Sequence, residues 1–495
     1  MRNKKYFFWI TVIILTLFRF WLAGKVLLTG DEAYHWEWSR HLAWGYYDHP
    51  PMIAFIIRIG TELFGHTLRA VRGGTVLFSA LSVGLVYWLA KDISGREDVG
   101  IWAGLLALFC PIYSVGAIIT TTDTPHAFFW LLSIYFFYRA LFKKNAAAWY
   151  LGGVALGAAF LSKFFACFIP LGLLTFLVFS PQQRFWLKRK EPYLAILLAW
   201  LIFSPFIYWN ATHNWATFGF NLASRHKAPQ LTLKYLGEYL GGQSLVLFPA
   251  FFVLYLYGLY RTLRQGLGQK EDKSWFLFCT SAPLWLAFLV ISTYQRVGAH
   301  WPVAAYFSGL VIIAVLLPEQ SNWYRRLFKI GWWGSLILMI SLYGLVLNPR
   351  IIPWNLVYAG WSDKINTGVL REFYGWEELG RRVKKSYAQM SAQAPAFIFT
   401  DSYALSSQVA FYTPGNPMVC MLGEGSVHGR NYDFWQDSEQ MKGQNALLVS
   451  KDGKHPGDSF HLFEMVEAEE PLKIYQDGEL VRTFPIFRCY RYLGK

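Results

Sequence analysis

Residues 148–180, AWYLGGVALGAAFLSKFFACFIPLGLLTFLVFS, carry a single charge, Lys163, and their reading decides the architecture. The run exceeds the roughly 20 apolar residues with which a helix crosses about 30 Å of hydrocarbon, and Lys163 divides it into two spans that meet at a corner. Working outward, apolar runs recur at 6–23, 74–90, 99–119, 125–142, 148–161, 164–180, 193–209, 240–260, 275–292, 300–317 and 330–347. The chain is therefore predicted to be a polytopic α-helical membrane protein with eleven transmembrane helices. Composition agrees, with 54% hydrophobic and 16% charged residues against about 25% charged in a soluble domain. With 23 Trp, 29 Tyr and 41 Phe, disorder is excluded. The first span follows RNKK, is rich in Trp and Phe and lacks a small-residue cleavage site, so it reads as a retained helix.

The net charge of +15 could indicate nucleic acid, an anionic membrane or an acidic ligand, and its distribution decides between them. With a cytoplasmic N-terminus the inner connections hold 19 Lys+Arg and the outer ones ten, the positive-inside bias. Clusters such as RFWLKRK (184–190) and YRRLFK (324–329) are orientation signals beside anionic lipid. No nucleic-acid partner is expected, the partner of this surface being the bilayer itself. An odd number of spans places the C-terminus outside an inner (plasma) membrane. From residue 350 the pattern changes to 16 Lys+Arg and 17 Asp+Glu, with strand-like stretches PAFIFTD, NALLVSK and RTFPIFRCYRYL. The expected division is a membrane domain, 1–349, and an extracytoplasmic α/β domain, 350–495. Cys420 and Cys489 would share an oxidising space there and could pair, which spacing alone does not decide.

This orientation gathers the unusual polar residues on one side. The first outer loop contains GDEAYHWEWSRHLAWGYYDHPPMIAF (30–55), with Asp31, Glu32, Asp48 and His49. Asp123 follows in the TTTDTP connection, Lys163 at the corner, and His213, His226, Arg296 and His300 in later loops. Tyr34, Trp38 and Leu42 fall on one helical face, which suits a helix lying in the membrane interface. Asp31 at its start either caps that helix or serves chemistry, and Glu32 makes it one of two adjacent acids. Pro50 and Pro51 impose an extended turn and release a second amphipathic stretch; Asp48 and His49 either orient that turn or contact a sugar or phosphate. Arg19 reads as a snorkelling side chain near the end of its span. Lys163 has no acidic neighbour in sequence, so a phosphate or a distant acid is its expected counter-ion, and Lys163, Arg296 and His300 could together hold a phosphate without a glycine-rich loop. Walker-type, HExxH, GxSxG and CxxC motifs are absent from the sequence, which removes support for a nucleotide-driven pump, a zinc protease and a serine hydrolase.

The stretches GDEAYHWEWSRHLAWGYYDHPPMIAF (30–55), TTDTPHAFFWLL (121–132), GAAFLSKFFACFIP (157–170) and AHWPVAAYF (299–307) resemble the C-type membrane glycosyltransferases, specifically the family 39 group. TDSYALSSQVAFYTPGNP (400–417) is similar to the soluble tail of bacterial members. That group includes dolichyl-phosphate-mannose protein mannosyltransferases and the bacterial transferases of aminoarabinose and galacturonic acid to lipid A or its core; the Asp48-His49 pair is closer to the galacturonosyltransferase branch. The resemblance implies that Asp31 is the catalytic base or holds the acceptor, that Glu32 completes its acidic pair, and that Asp123 is the acid of the second outer loop. It also implies that Lys163, with Arg296 and His300, meets the donor phosphate, and that Asp48 and His49 contact sugar or acceptor. The implied substrates are a polyprenyl-phosphate sugar and an envelope hydroxyl on a glycolipid, polymer or protein. Some relatives use a divalent metal between two acids, but the sequence offers too few oxygen ligands to assign one, and no cofactor or metal is assigned. A transporter or flippase for an amphipathic lipid-linked ligand is the competing class; it would place polar residues near the midplane in repeated halves.

Overall fold

The computed structural model describes residues 2–221, 231–318, 321–348, 374–422, 428–450, 457–476 and 478–494. The expected domain boundary at 349/350 and His226 lie outside the described residues. All eleven apolar stretches are helical over most of their length. In chain order the helices are α1 (Arg2–Ala23), α2 (Gly30–Arg40), α3 (Met52–Phe64), α4 (Leu68–Ser94), α5 (Glu97–Phe109), α6 (Pro111–Gly116), α7 (Asp123–Phe142) and α8 (Ala146–Phe160). They continue as α9 (Phe168–Phe179), α10 (Glu191–Thr212), α11 (Ala216–Gly219), α12 (Leu233–Leu247), α13 (Pro249–Leu263), α14 (Asp272–Ile291), α15 (Ala305–Leu316) and α16 (Asn322–Leu347).

Among the described residues, five helices are by themselves long and apolar enough to cross a membrane, or six if a bent pair counts as one span. The remainder are shortened or broken for identifiable reasons. Pro111 separates α5 from α6. The expected span at 240–260 bends by 106° between α12 and α13. At that bend Phe248 takes φ +79°, and Pro249, which has no N–H to give, opens the next helix.

The expectation of an interfacial α2 is also corrected. Nine of its eleven residues are buried, because the C-terminal part of the chain covers it. That part contains α17 (Trp376–Ser391), β1 (Ala396–Thr400), α18 (Tyr403–Tyr412), β2 (Val419–Met421), α19 (Tyr432–Trp435), β3 (Asn445–Val449), α20 (Gly457–Phe460), β4 (Phe463–Ala468), β5 (Leu472–Gln476), β6 (Glu479–Phe484) and β7 (Ile486–Tyr492). Its five-stranded sheet has the order β2-β1-β3-β7-β4, with β1 parallel to β2 and β3 and β7 antiparallel to β3 and β4. The three stretches read as strands are strands, the last split into β6 and β7 at Pro485. Cys420 on β2 and Cys489 on β7 are free and buried; two intervening strands hold them about 14 Å apart by strand spacing.

Tyr34, Trp36 and Trp38 of α2 belong to one apolar cluster with Leu379, Leu405 and Val409 of the C-terminal part. The approach is close: a Cβ on Gly30 would lie 2.7 Å from the Cβ of Ala404, so only glycine lets α18 pack there. By contrast α3 leaves Ile59, Leu63 and Phe64 exposed, an apolar stripe of the kind that lies on a membrane surface.

Candidate active site

The acids DE at 31–32 separate as soon as α2 forms. Thr29 caps the helix, accepting from the Glu32 N–H at 3.3 Å, while Glu32 Oε2 accepts from the Thr29 N–H at 3.0 Å. Asp31 is therefore not the cap. Glu32 also accepts from Arg72 Nε and Nη2, both at 2.6 Å, and from the Thr120 N–H at 2.9 Å. It is fully buried with all its acceptor capacity used, so the expected catalytic role of Glu32 is replaced by a structural one.

Asp31 instead borders a polar chamber of about 290 Å³ lined also by Asp48, His49, Asp123, Lys163 and His300. Six of the eight residues singled out in the sequence thus meet in one place. Asp123 opens α7, where the helix dipole favours its charge. Lys163 sits in the extended corner after α8 and is buried, and its Nζ donates to Asp123 Oδ1 at 2.6 Å. His300 Nε2 lies 3.7 Å from Asp123 Oδ2. Burial alone would raise the Asp123 carboxyl, but Lys163 and then His300 overcome it and hold the carboxyl down at about 2. Asp123 is thus an anion poised on a lysine, the distant acid expected for Lys163.

Asp48 Oδ2 accepts from the Tyr34 hydroxyl at 2.9 Å, and its Oδ1 lies 3.6 Å from His428 Nδ1. The YYDHPP turn carrying Asp48 and His49 is tied to two separate parts of the chain: Asn221 Nδ2 donates to the Asp48 carbonyl at 3.0 Å and the Tyr47 N–H donates to Asn431 Oδ1 at 2.8 Å. His35, beside the two acids, is buried and its imidazole is held below its ordinary range by that burial. Arg296 is not part of the chamber. It extends into solvent, 79% exposed, and pairs with Glu238 at 2.9 Å, so of the three residues expected at the donor phosphate only Lys163 and His300 border the chamber.

Sequence reasoning missed the contribution of the C-terminal part. The Tyr403 hydroxyl donates to Asp31 Oδ1 at 3.0 Å, and Tyr403 and His428 line the chamber. Tyr403 lies inside the TDSYALSSQ stretch that was similar to bacterial tails, the one signal that pointed to it. Two apolar cavities adjoin the chamber. One, of about 750 Å³, runs from His49 and Lys163 past Phe160, Trp200 and Phe203. The other, of about 340 Å³, starts at Asp31, Asp123 and His300 and reaches Arg19. Among the described residues no group of three or more His, Cys, Asp or Glu is arranged to hold a metal ion.

The dolichyl-phosphate-mannose-protein mannosyltransferase family matches residues 48–209, the segment bearing Asp48, His49, Asp123 and Lys163. The lipid A galacturonosyltransferase of Rhizobium johnstonii is 28% identical over 399 residues, 77% of each chain. In sequence the chain is thus similar to membrane glycosyltransferases. An arabinosyl transferase of Proteus mirabilis named for undecaprenyl phosphate-α-4-amino-4-deoxy-L-arabinose is 31% identical over 226 residues, 40% of each chain. The fold of the chain is also similar to that of ArnT from Cupriavidus metallidurans, crystallised with undecaprenyl phosphate: TM-score 0.66 over 97% of each chain at 16% identity.

Proposed function

We propose that the chain moves a sugar from a polyprenyl-phosphate donor to a hydroxyl of an envelope acceptor, lipid A or a core glycolipid by preference, at the outer face of the membrane and with inversion. The observation that carries this reading is the Asp123–Lys163 pair at the junction of a polar chamber and a long apolar cavity. Lys163 is the charged group of that cavity, so an isoprenoid chain fits along its apolar walls with its phosphate against Lys163 and His300. The names of the relatives support a lipid-phosphate donor and a lipid A acceptor. The topology that goes with it is eleven membrane passages, an N-terminus inside, residues 1–349 as the membrane domain and residues 350–495 as an outer domain that closes the chamber. A flippase would have no use for carboxylates held at the rim.

The chemistry is one displacement. The acceptor oxygen attacks the anomeric carbon as its proton passes to Asp31; the bond from that carbon to the phosphate oxygen breaks, and the electron pair leaves with polyprenyl phosphate. Lys163 neutralises the departing charge, and no protonated acid is required because a phosphate leaves readily. Asp123 holds Lys163 in place before the donor arrives. Asp48 and His49 are placed to contact the sugar or acceptor. The test is transfer in proteoliposomes from a polyprenyl-phosphate sugar to lipid A, with product stereochemistry read by NMR. An inverted linkage from the wild-type chain, lost in Asp31→Asn, is the expected result, and an Asp31→Asn variant that transfers normally would remove the base.

A further inference from the structure

Two arginines are buried beneath the chamber, and the fold treats them differently. Arg72 is neutralised by both oxygens of Glu32. Arg19, 3% exposed, has no carboxylate partner among the described residues. Its Nε donates to the Tyr343 hydroxyl at 2.9 Å, and its Nη2 donates to the Leu108 carbonyl at 2.7 Å and the Ser114 hydroxyl at 3.4 Å. All three acceptors are neutral, so the charge is solvated by dipoles but not cancelled. A buried cation in that condition is costly. Four residues from the end of α1, its side chain could have reached the surface; it turns inward and lines the smaller apolar cavity.

The far end of that cavity is formed by Asp31, Asp123 and His300. It is therefore polarised, with carboxylates beside the reacting position and one uncancelled guanidinium opposite. Tyr113 and Phe307, whose rings stack on one another at 4.3 Å, also line it and offer apolar ring surface to a sugar. Lys163 does not line this cavity, so the donor's leaving phosphate is held elsewhere and an anion at Arg19 is a second one. The carboxylate end repels an acidic ligand group and the arginine end attracts it, which fixes the orientation of whatever enters.

We propose that Arg19 anchors a second oxyanion subsite, which receives a carboxylate or phosphate carried by one of the two substrates. The sources that fit are the carboxylate of a transferred uronic sugar and a phosphate on the acceptor headgroup. The inference rests on the sugar-transfer reading of the adjoining chamber. Arg19→Gln, which keeps hydrogen-bond donors while removing the charge, tests it in the full chain reconstituted in lipid nanodiscs. Two substrate pairs are compared: a polyprenyl-phosphate uronic acid against the corresponding neutral hexose donor, and a phosphorylated acceptor glycolipid against its dephosphorylated form. Wild type should prefer the acidic member of one pair, and Arg19→Gln should lose about tenfold or more of that preference in kcat/KM, the scale of a charge-assisted hydrogen bond. Collapse in the donor pair places the anion on the sugar, and collapse in the acceptor pair places it on the acceptor. Preferences unchanged in both pairs overturn the subsite. If Arg19→Gln fails to accumulate, the wild-type chain decides by thermal unfolding. Galacturonate or glucosamine 1-phosphate must raise Tm above galactose or glucosamine at equal concentration, and equal Tm values overturn the proposal. A wild-type chain that is stabilised by these anions yet transfers nothing from any polyprenyl-phosphate donor would refute the transfer reading and leave the subsite standing.

Discussion

Replacing Lys163 with methionine keeps the apolar stem and removes the charge that holds Asp123 as an anion. In the wild type the Asp123 carboxyl lies at about 2, against about 3.9 in an unfolded chain, which corresponds to roughly 2–3 kcal/mol of stability at neutral pH. Because the folded value is depressed, this contribution is complete above about pH 4 and is lost as the pH falls toward 2. Methionine strands a largely buried carboxylate whose remaining basic neighbour within 4 Å, among the described residues, is the His300 imidazole at 3.7 Å. The expected destabilisation is about 3 kcal/mol, the lower end of the cost of breaking a buried pair from one side. Adding Asp123→Asn to Lys163→Met removes the stranded charge and should restore most of that loss, while donor use stays low because nothing replaces the cation at the phosphate. Thermal unfolding in detergent reads the first effect, and donor titration in proteoliposomes reads the second, as a fall of about 100-fold in kcat/KM for the donor. A Lys163→Met variant with wild-type donor kinetics would refute the phosphate role, and a double variant no more stable than the single one would refute the ion-pair argument.

Glu32 and Asp31 should behave as opposites: Glu32→Gln strands the Arg72 guanidinium, costs about 3 kcal/mol or more and lowers accumulation in the membrane, whereas Asp31→Asn accumulates normally and does not transfer. Tyr403→Phe removes the hydroxyl that orients Asp31 and should lower kcat by about tenfold with donor KM unchanged; equal effects on both would show that Tyr403 acts in binding. His41 stacks on Trp435 with ring centroids 4.6 Å apart, and burial, then Arg40, holds its imidazole down at about 4. A histidine with a depressed folded value binds fewer protons when folded, so its contribution is full above about pH 6.5 and is lost as the pH falls toward 4. His41→Phe should flatten that part of the Tm profile, and an unchanged profile would show that His41 does not govern it.

The membrane class, the positions of the helices and the six of eight candidate residues that meet at the chamber were legible as candidates because a bilayer makes polar residues conspicuous. Asp123 and Lys163 stand out only because their surroundings are apolar, and the same contrast pairs them across 40 residues. Breaks in the helices were less visible. Phe248-Pro249 is a readable signal, since a residue before proline avoids the helical region, but hydropathy averaged across it. Arg296 misled because a basic residue between polar loop neighbours looks the same whether it faces a chamber or, as here, solvent and Glu238. The covering of α2 was hidden for another reason. An aromatic face at Tyr34 and Trp38 is equally suited to lipid and to a protein core, and the partner, α18, lies nearly 400 residues away with no spacing to announce it.

That long-range contact explains how one acid of an adjacent pair can be kept for chemistry. Successive residues on a helix point about 100° apart, so Asp31 and Glu32 cannot serve the same neighbour. Glu32 turns inward, where Arg72, the Thr29 cap and the Thr120 N–H fix the start of α2 against α4 and the chain leading into α7. Asp123 lies three residues after Thr120, so one buried carboxylate sets the spacing of Asp31 and Asp123, two of the three that border the chamber. Tyr403 then fixes the rotamer of Asp31 from the other side, and the close packing of Gly30 on Ala404 ties that contact to the docking of the C-terminal sheet. On the proposed reading of Asp31 as the base, its position depends on the tail being seated, so cleavage or displacement of residues 374–494 should abolish transfer even though Asp31, Asp123 and Lys163 all lie in the helical part.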